Sequence, residues 1–139
     1  MADLAEVRAR QAAAMTEAQL LNTVRRACKE AGWMHVHQHN SQRTEPGWPD
    51  CFMVKGDRIL VRELKTQVGR ITEHQARWLD ALAGAGLDVG VWRPADAVSG
   101  LIWEVLRGAD DPNRMMRHIK GYFHYRRILL SGDIEYMLT

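Results

Sequence analysis

The sequence predicts an α/β domain whose core runs helix, three strands, helix, strand, followed by a helical C-terminal extension. Three observations lead there. Two capping boxes, Thr16 with Gln19 and Thr72 with Gln75, each open a stretch of apolar residues at helical spacing. Alternating and β-branched runs lie between and after them, and Gly, Pro, Asn or Asp stands at each change of period. The 139 residues fit one compact domain. With 19 Lys and Arg against 17 Asp and Glu, the net charge of +2 is too mild to hold nucleic acid by charge alone, and too balanced for a disordered tail. No run approaches the ~18 apolar residues of a membrane span. The opening MADLAEVRARQAAAM mixes charges among small residues, unlike a secretory signal. Cys28 and Cys51 make neither a disulfide framework nor a CxxC pair. The expectation is a soluble, cytoplasmic domain with no membrane partner.

Taken in order, residues 1–15 read as a leader helix. The next helix starts at Thr16, keeps Leu20, Leu21, Val24, Ala27, Cys28 and Ala31 at helical spacing, and stops at Gly32. From Trp33 the period becomes two: Met34, Val36 and Gln38 alternate with His35, His37 and His39, as in a short strand. The polar stretch 40–47 reads as a loop. Strands over Asp50–Val54 and Arg58–Lys65 are joined at Lys55-Gly56-Asp57 as a hairpin. A helix from Thr72 through Trp78, Leu79 and Leu82 ends at Gly84 or Gly86, and Leu87–Trp92 forms a strand closed by Pro94. This core occupies residues 16–94. In the extension, 95–139, Leu101, Ile102, Val105 and Leu106 mark a short helix, Asp110-Asp111-Pro112 a break, and Met115, Met116, Ile119 and Phe123 another helix.

The chemistry gathers at Pro49-Asp50, beginning one strand, and Glu63-Leu64-Lys65, ending the next. Side chains alternate along a strand, so Glu63 and Lys65 share a face with Ile59 and Val61. In a hairpin Asp50 and Glu63 lie near the open ends of neighbouring strands, where two carboxylates can share a hard divalent cation such as Mg²⁺ or Mn²⁺, with the Leu64 backbone carbonyl as a third ligand. A lysine beside that ion can lower the pKa of an attacking water, orient it and offset charge on a phosphate. Charges that continue an apolar face are costly unless paired or metal-bound, and a simple Glu63–Lys65 ion pair would also satisfy them. Glu17, in the first turn of its helix, is expected toward the core edge, or simply complements the helix dipole. Gln75 begins the apolar face of its helix, or serves the capping box alone.

Gly47-Trp48-Pro49-Asp50, Glu63-Leu64-Lys65 and Gln75 together resemble the VRR-NUC branch of the PD-(D/E)XK nuclease superfamily, with Glu17 on the leading helix as its order of elements requires. The resemblance covers residues 16–94. It implies a restriction-endonuclease-like core and a metal-dependent phosphodiesterase, with Asp50 and Glu63 as metal ligands, Lys65 as the catalytic lysine, Glu17 as a supporting acid and Gln75 in an ordering role. Small stand-alone members are typical of bacteriophages, which would place the chain in a host cytoplasm. They resemble Holliday-junction resolvases in acting as homodimers on branched DNA.

Other features compete. His35, His37 and His39 share one face of a strand, with neighbours ~6.6 Å apart. They can flank a substrate groove, face solvent, or offer two ligands to zinc, although a flat strand does not converge three imidazoles on one ion. Ser41, Gln42, Arg43 and Thr44 precede the Pro49-Asp50 turn and can reach phosphate or sugar oxygens, or merely form the turn. Arg114, Arg117, Lys120, Arg126 and Arg127, with aromatics interleaved, can grip a DNA backbone or form a solvated face. The expected activity is structure-selective DNA cleavage at a branch, flap or junction. The competing function is a non-catalytic nucleic-acid-binding module on the same fold.

Overall fold

The computed structural model describes residues 2–38 and 45–115, and the backbone of 123–124 and 137–138. Helix α1 (Leu4–Ala14) is capped by Asp3, whose carboxylate accepts from the Glu6 N–H at 2.8 Å. Helix α2 (Glu17–Ala31) opens with the expected reciprocal capping box, Thr16 and Gln19 each accepting from the other's backbone. It closes at Gly32, which turns the chain with a left-handed φ of 81°.

Strands β1 (Met34–His37), β2 (Cys51–Lys55), β3 (Arg58–Leu64) and β4 (Asp88–Trp92) form one sheet in the order β1-β2-β3-β4. The first two pairings are antiparallel. The β3–β4 pairing is parallel, and helix α3 (Glu73–Gly84) makes the crossover that a parallel pair needs. Helices α4 (Pro94–Val98) and α5 (Leu101–Leu106) follow, and a separate two-stranded pairing joins β5 (Phe123–His124) to β6 (Met137–Leu138). The mixed α/β class and the core order are as expected, with strand bounds shifted by about one residue.

The sheet is covered on both faces. On one, Leu20, Val24, Ala27 and Cys28 of α2 pack with Cys51, Met53, Leu60, Leu64 and Trp92, and with Ile102, Val105 and Leu106 of α5. On the other, Ile71 and α3's Ala76 and Leu79 pack on Val61, Val89 and Val91. With both faces covered, β3 is buried almost throughout instead of alternating. Among the described residues no helix is long and apolar enough to cross a membrane.

At the end of the core, β4 stops at Trp92 and Pro94 stands at the first position of α4, where its fixed φ and missing N–H cost nothing. One expectation for the extension is corrected. The second helix expected from Met115 to Phe123 is not what the described residues form. Arg114 bridges Gly90 and the Met115 N–H donates to the Val89 carbonyl at 2.8 Å, so the chain runs along the outer edge of β4. Phe123 lies in β5. Burial of Met115 against Val89 and Leu79 outweighs its helical spacing. Met116 and Ile119 lie outside the described residues.

Candidate active site

The hairpin register pairs Cys51 with Arg62, which puts Asp50 opposite Glu63 at the end of the sheet. The Leu64 N–H donates to Asp50 Oδ2 at 2.9 Å, tying that side chain to the last residue of β3. In a strand the N–H and C=O of one residue project to the same side, so the Leu64 carbonyl is directed toward Asp50 as well. Lys65 follows immediately, partly buried, with its N–H bonded to the Trp92 carbonyl at 3.2 Å. Asp50, Glu63 and the Leu64 carbonyl are thus three hard oxygen donors at one sheet end, with Lys65 beside them.

Glu63 is only 3% exposed. Gln75 Nε2 donates to its Oε1 at 3.3 Å, while its Oε2 is buried with no hydrogen-bond partner. Burial first, then the hydrogen bond that only a protonated carboxyl can make to Asp50, and the charge of Asp50, push the Glu63 carboxyl up to about 10; Lys65 pulls the other way and Glu17 adds to the rise. Lys65 alone therefore does not compensate the two acids, as a simple ion pair would. An orphaned carboxylate oxygen facing a second acid suits a small, hard, oxygen-seeking cation. Among the described residues no group of three or more His, Cys, Asp or Glu side chains makes a metal cluster, so the candidate ligand set is these two acids, one backbone carbonyl and solvent.

The loop before Asp50 is fixed by a glycine. Gly47 has φ 87°, and a Cβ there would fall 2.3 Å from the His74 carbonyl carbon and 2.6 Å from the Gln75 nitrogen. Only the absence of a side chain lets residues 47–50 press on the first turn of α3, which brings Asp50, Glu63 and Gln75 together. Trp48 then meets Trp78 of α3 edge to face, with ring centroids 4.9 Å apart. Gln75 makes two contacts at once: Oε1 accepts from the Thr72 N–H at 2.9 Å in the capping box while Nε2 donates to Glu63 Oε1.

Glu17 is exposed rather than turned toward the core edge, and its charge is the smallest of the influences on the Glu63 carboxyl. His35 and His37 share a face with Met53 and Cys51, on the α2 side, whereas Asp50 and Glu63 lie on the α3 side. They do not line the carboxylates' face. Desolvation, Arg25 and His37 all hold the His35 imidazole below its usual range. Arg114 sits at the opposite end of the sheet, 3.6 Å from Asp88. His39, Ser41, Gln42, Arg43, Thr44, Arg117, Lys120, Arg126 and Arg127 lie outside the described residues.

Sequence reasoning missed Arg93. It is buried, and its Nη1 donates to the carbonyls of Thr66 and Gly69 at 2.7 and 2.6 Å, which pins the loop that leaves Lys65. Its partners stand more than 20 residues away in the chain, so no local spacing could reveal them. No family model, no curated protein and no solved structure matches the chain.

Proposed function

We propose that this chain is a divalent-metal-dependent DNA endonuclease that hydrolyses phosphodiester bonds, selective for branched, flapped or junction DNA and acting as a homodimer. The observation that carries the reading is Glu63: a buried carboxyl with one orphaned oxygen, opposite Asp50 and next to Lys65. The helix–three strands–helix–strand order and the Gly47-to-Asp50, Glu63-to-Lys65 and Gln75 motifs, which resemble the VRR-NUC nucleases, support the same reading.

Asp50, Glu63 and the Leu64 carbonyl would hold Mg²⁺ or Mn²⁺, which when bound would supply Lewis acidity at the phosphate. Lys65 orients the attacking water and offsets charge developing on the phosphoryl oxygens. Gln75 fixes the Glu63 carboxylate by donating to Oε1, and Glu17 serves as a supporting acid. Attack of the water oxygen on phosphorus breaks the bond to O3′, leaving 5′-phosphate and 3′-hydroxyl ends.

Labelled four-way junction, flap and linear duplex, offered with and without Mg²⁺, test the proposal. Wild type should cut at least one of them only when Mg²⁺ is present, and Lys65→Ala should be slower by about 10²-fold or more. Equal cleavage by the two proteins rejects the assignment. Binding without cleavage on every substrate favours the non-catalytic module.

A further inference from the structure

Beside the carboxylates lies an aromatic pair to which the phosphodiesterase reading gives no task. Trp48 is two residues before Asp50, so their Cα atoms can be no more than ~7 Å apart. Trp78 is three residues after Gln75 on the same side of α3, and Gln75 touches Glu63. Two short covalent paths therefore tie the indoles to the two acids. The rings meet at 80°, a geometry in which one ring presents its edge and keeps both its flat faces clear of the other. Both side chains remain partly exposed. Gly47, pressed on the α3 backbone, leaves little freedom for Trp48 to swing away.

The neighbouring sheet surface is also apolar. Val36 of β1 is 58% exposed. It pairs with Phe52, two residues from Asp50, on the α3 side of the sheet, the side that carries Asp50 and Glu63. An apolar, aromatic surface next to a phosphate-cleaving centre suits the flat face of a nucleobase, since every base has a π-face and stacks without regard to its hydrogen-bonding edge.

We infer that Trp48, braced by Trp78, is a stacking platform for an unpaired base next to the phosphodiester to be cut. This rests on the nuclease reading and deepens it by naming the substrate feature recognised. A base inside a continuous duplex has both faces covered by its neighbours. A base at a flap, gap or branch has a free one. The platform therefore favours DNA with an unpaired nucleotide at the cleavage point over intact duplex, with no base-specific hydrogen bond.

Two measurements test it. In the first, wild type, Trp48→Phe and Trp48→Leu are compared for cleavage of a flap and of the corresponding continuous duplex. Stacking is worth ~1–3 kcal/mol per base, so Trp48→Leu should lower the flap-to-duplex rate ratio by about tenfold, and Trp48→Phe should largely retain it. In the second, flap strands carry 2-aminopurine at successive positions through the branch and are bound by Lys65→Ala protein in Mg²⁺. The probe at the stacked position should be quenched. It should brighten when Trp48→Leu is added to Lys65→Ala, but not when Trp48→Phe is added. An unchanged ratio, an equal loss on both substrates, or a probe indifferent to residue 48 at every position overturns the platform. Absence of cleavage by wild type overturns the nuclease reading instead, because the fluorescence reports stacking without chemistry.

Discussion

Glu63 is the residue on which the site turns. Moving a carboxylate out of water is costly, and one lysine and one amide donor do not offset that cost while a second acid faces it. The sign of the consequence follows from its raised pKa. A folded protein that holds this proton up to about 10, against an ordinary 4.5, has the full stabilising effect below pH 4.5 and loses it as pH rises through 10. In chelator-treated protein the unfolding free energy should therefore decline across neutral and mildly alkaline pH, more steeply than in Glu63→Gln, whose amide carries no titrating proton. Parallel pH profiles for the two proteins, read by denaturant unfolding, would contradict this. Gln75 shows the same economy of placement: one amide closes the helix cap with its oxygen and steadies Glu63 with its nitrogen.

At the scale of elements, the site depends on how the 47–50 loop meets α3. Gly47→Ala puts a side chain at φ 87° and a carbon 2.3 Å from the α3 backbone. The backbone conformation alone should cost about 1–3 kcal/mol, and the clash must displace the loop that carries Asp50. Thermal unfolding should show the loss, and cleavage should fall with it; a variant with wild-type stability and activity would contradict the proposed clamp. Much of this level was legible in the sequence because its causes are local. Both capping boxes and the Gly32 stop are short-range chemistry. A two-residue turn between Lys55 and Arg58 sets the hairpin register, and that register brings Asp50 opposite Glu63. Other parts were not legible. Met115 has helical spacing but is recruited to the edge of β4, and Pro94 stops a strand by starting a helix, two outcomes fixed by packing rather than propensity. Trp48 could be read only as part of a motif, because its partner Trp78 is 30 residues away.

At the scale of the molecule, the parallel β3–β4 pair is locked by a buried charge that no spacing in the sequence announces. Arg62 is wholly buried. It reaches Asp88 Oδ1 at 2.7 Å and Asp111 Oδ2 at 3.2 Å, and its guanidinium lies over the Trp92 ring, whose Nε1 also donates to Asp111 at 2.7 Å. Arg62→Ala strands Asp111 inside the protein and should cost about 3–5 kcal/mol, read by denaturant unfolding. A loss below 1 kcal/mol would mean that packing, not charge, joins the extension to the sheet. This network compensates the charge of Arg62 on the α2 face of β3, while on the α3 face the acids are left without enough positive charge. Melting of chelator-treated protein with and without excess Mg²⁺ or Mn²⁺, in wild type and Glu63→Gln, tests that asymmetry most directly. At a hundredfold excess over its dissociation constant, a bound ion adds about 2.7 kcal/mol, a rise of several degrees. The account predicts that rise in wild type and its loss in Glu63→Gln; no rise in wild type, or an equal rise in both, would contradict it.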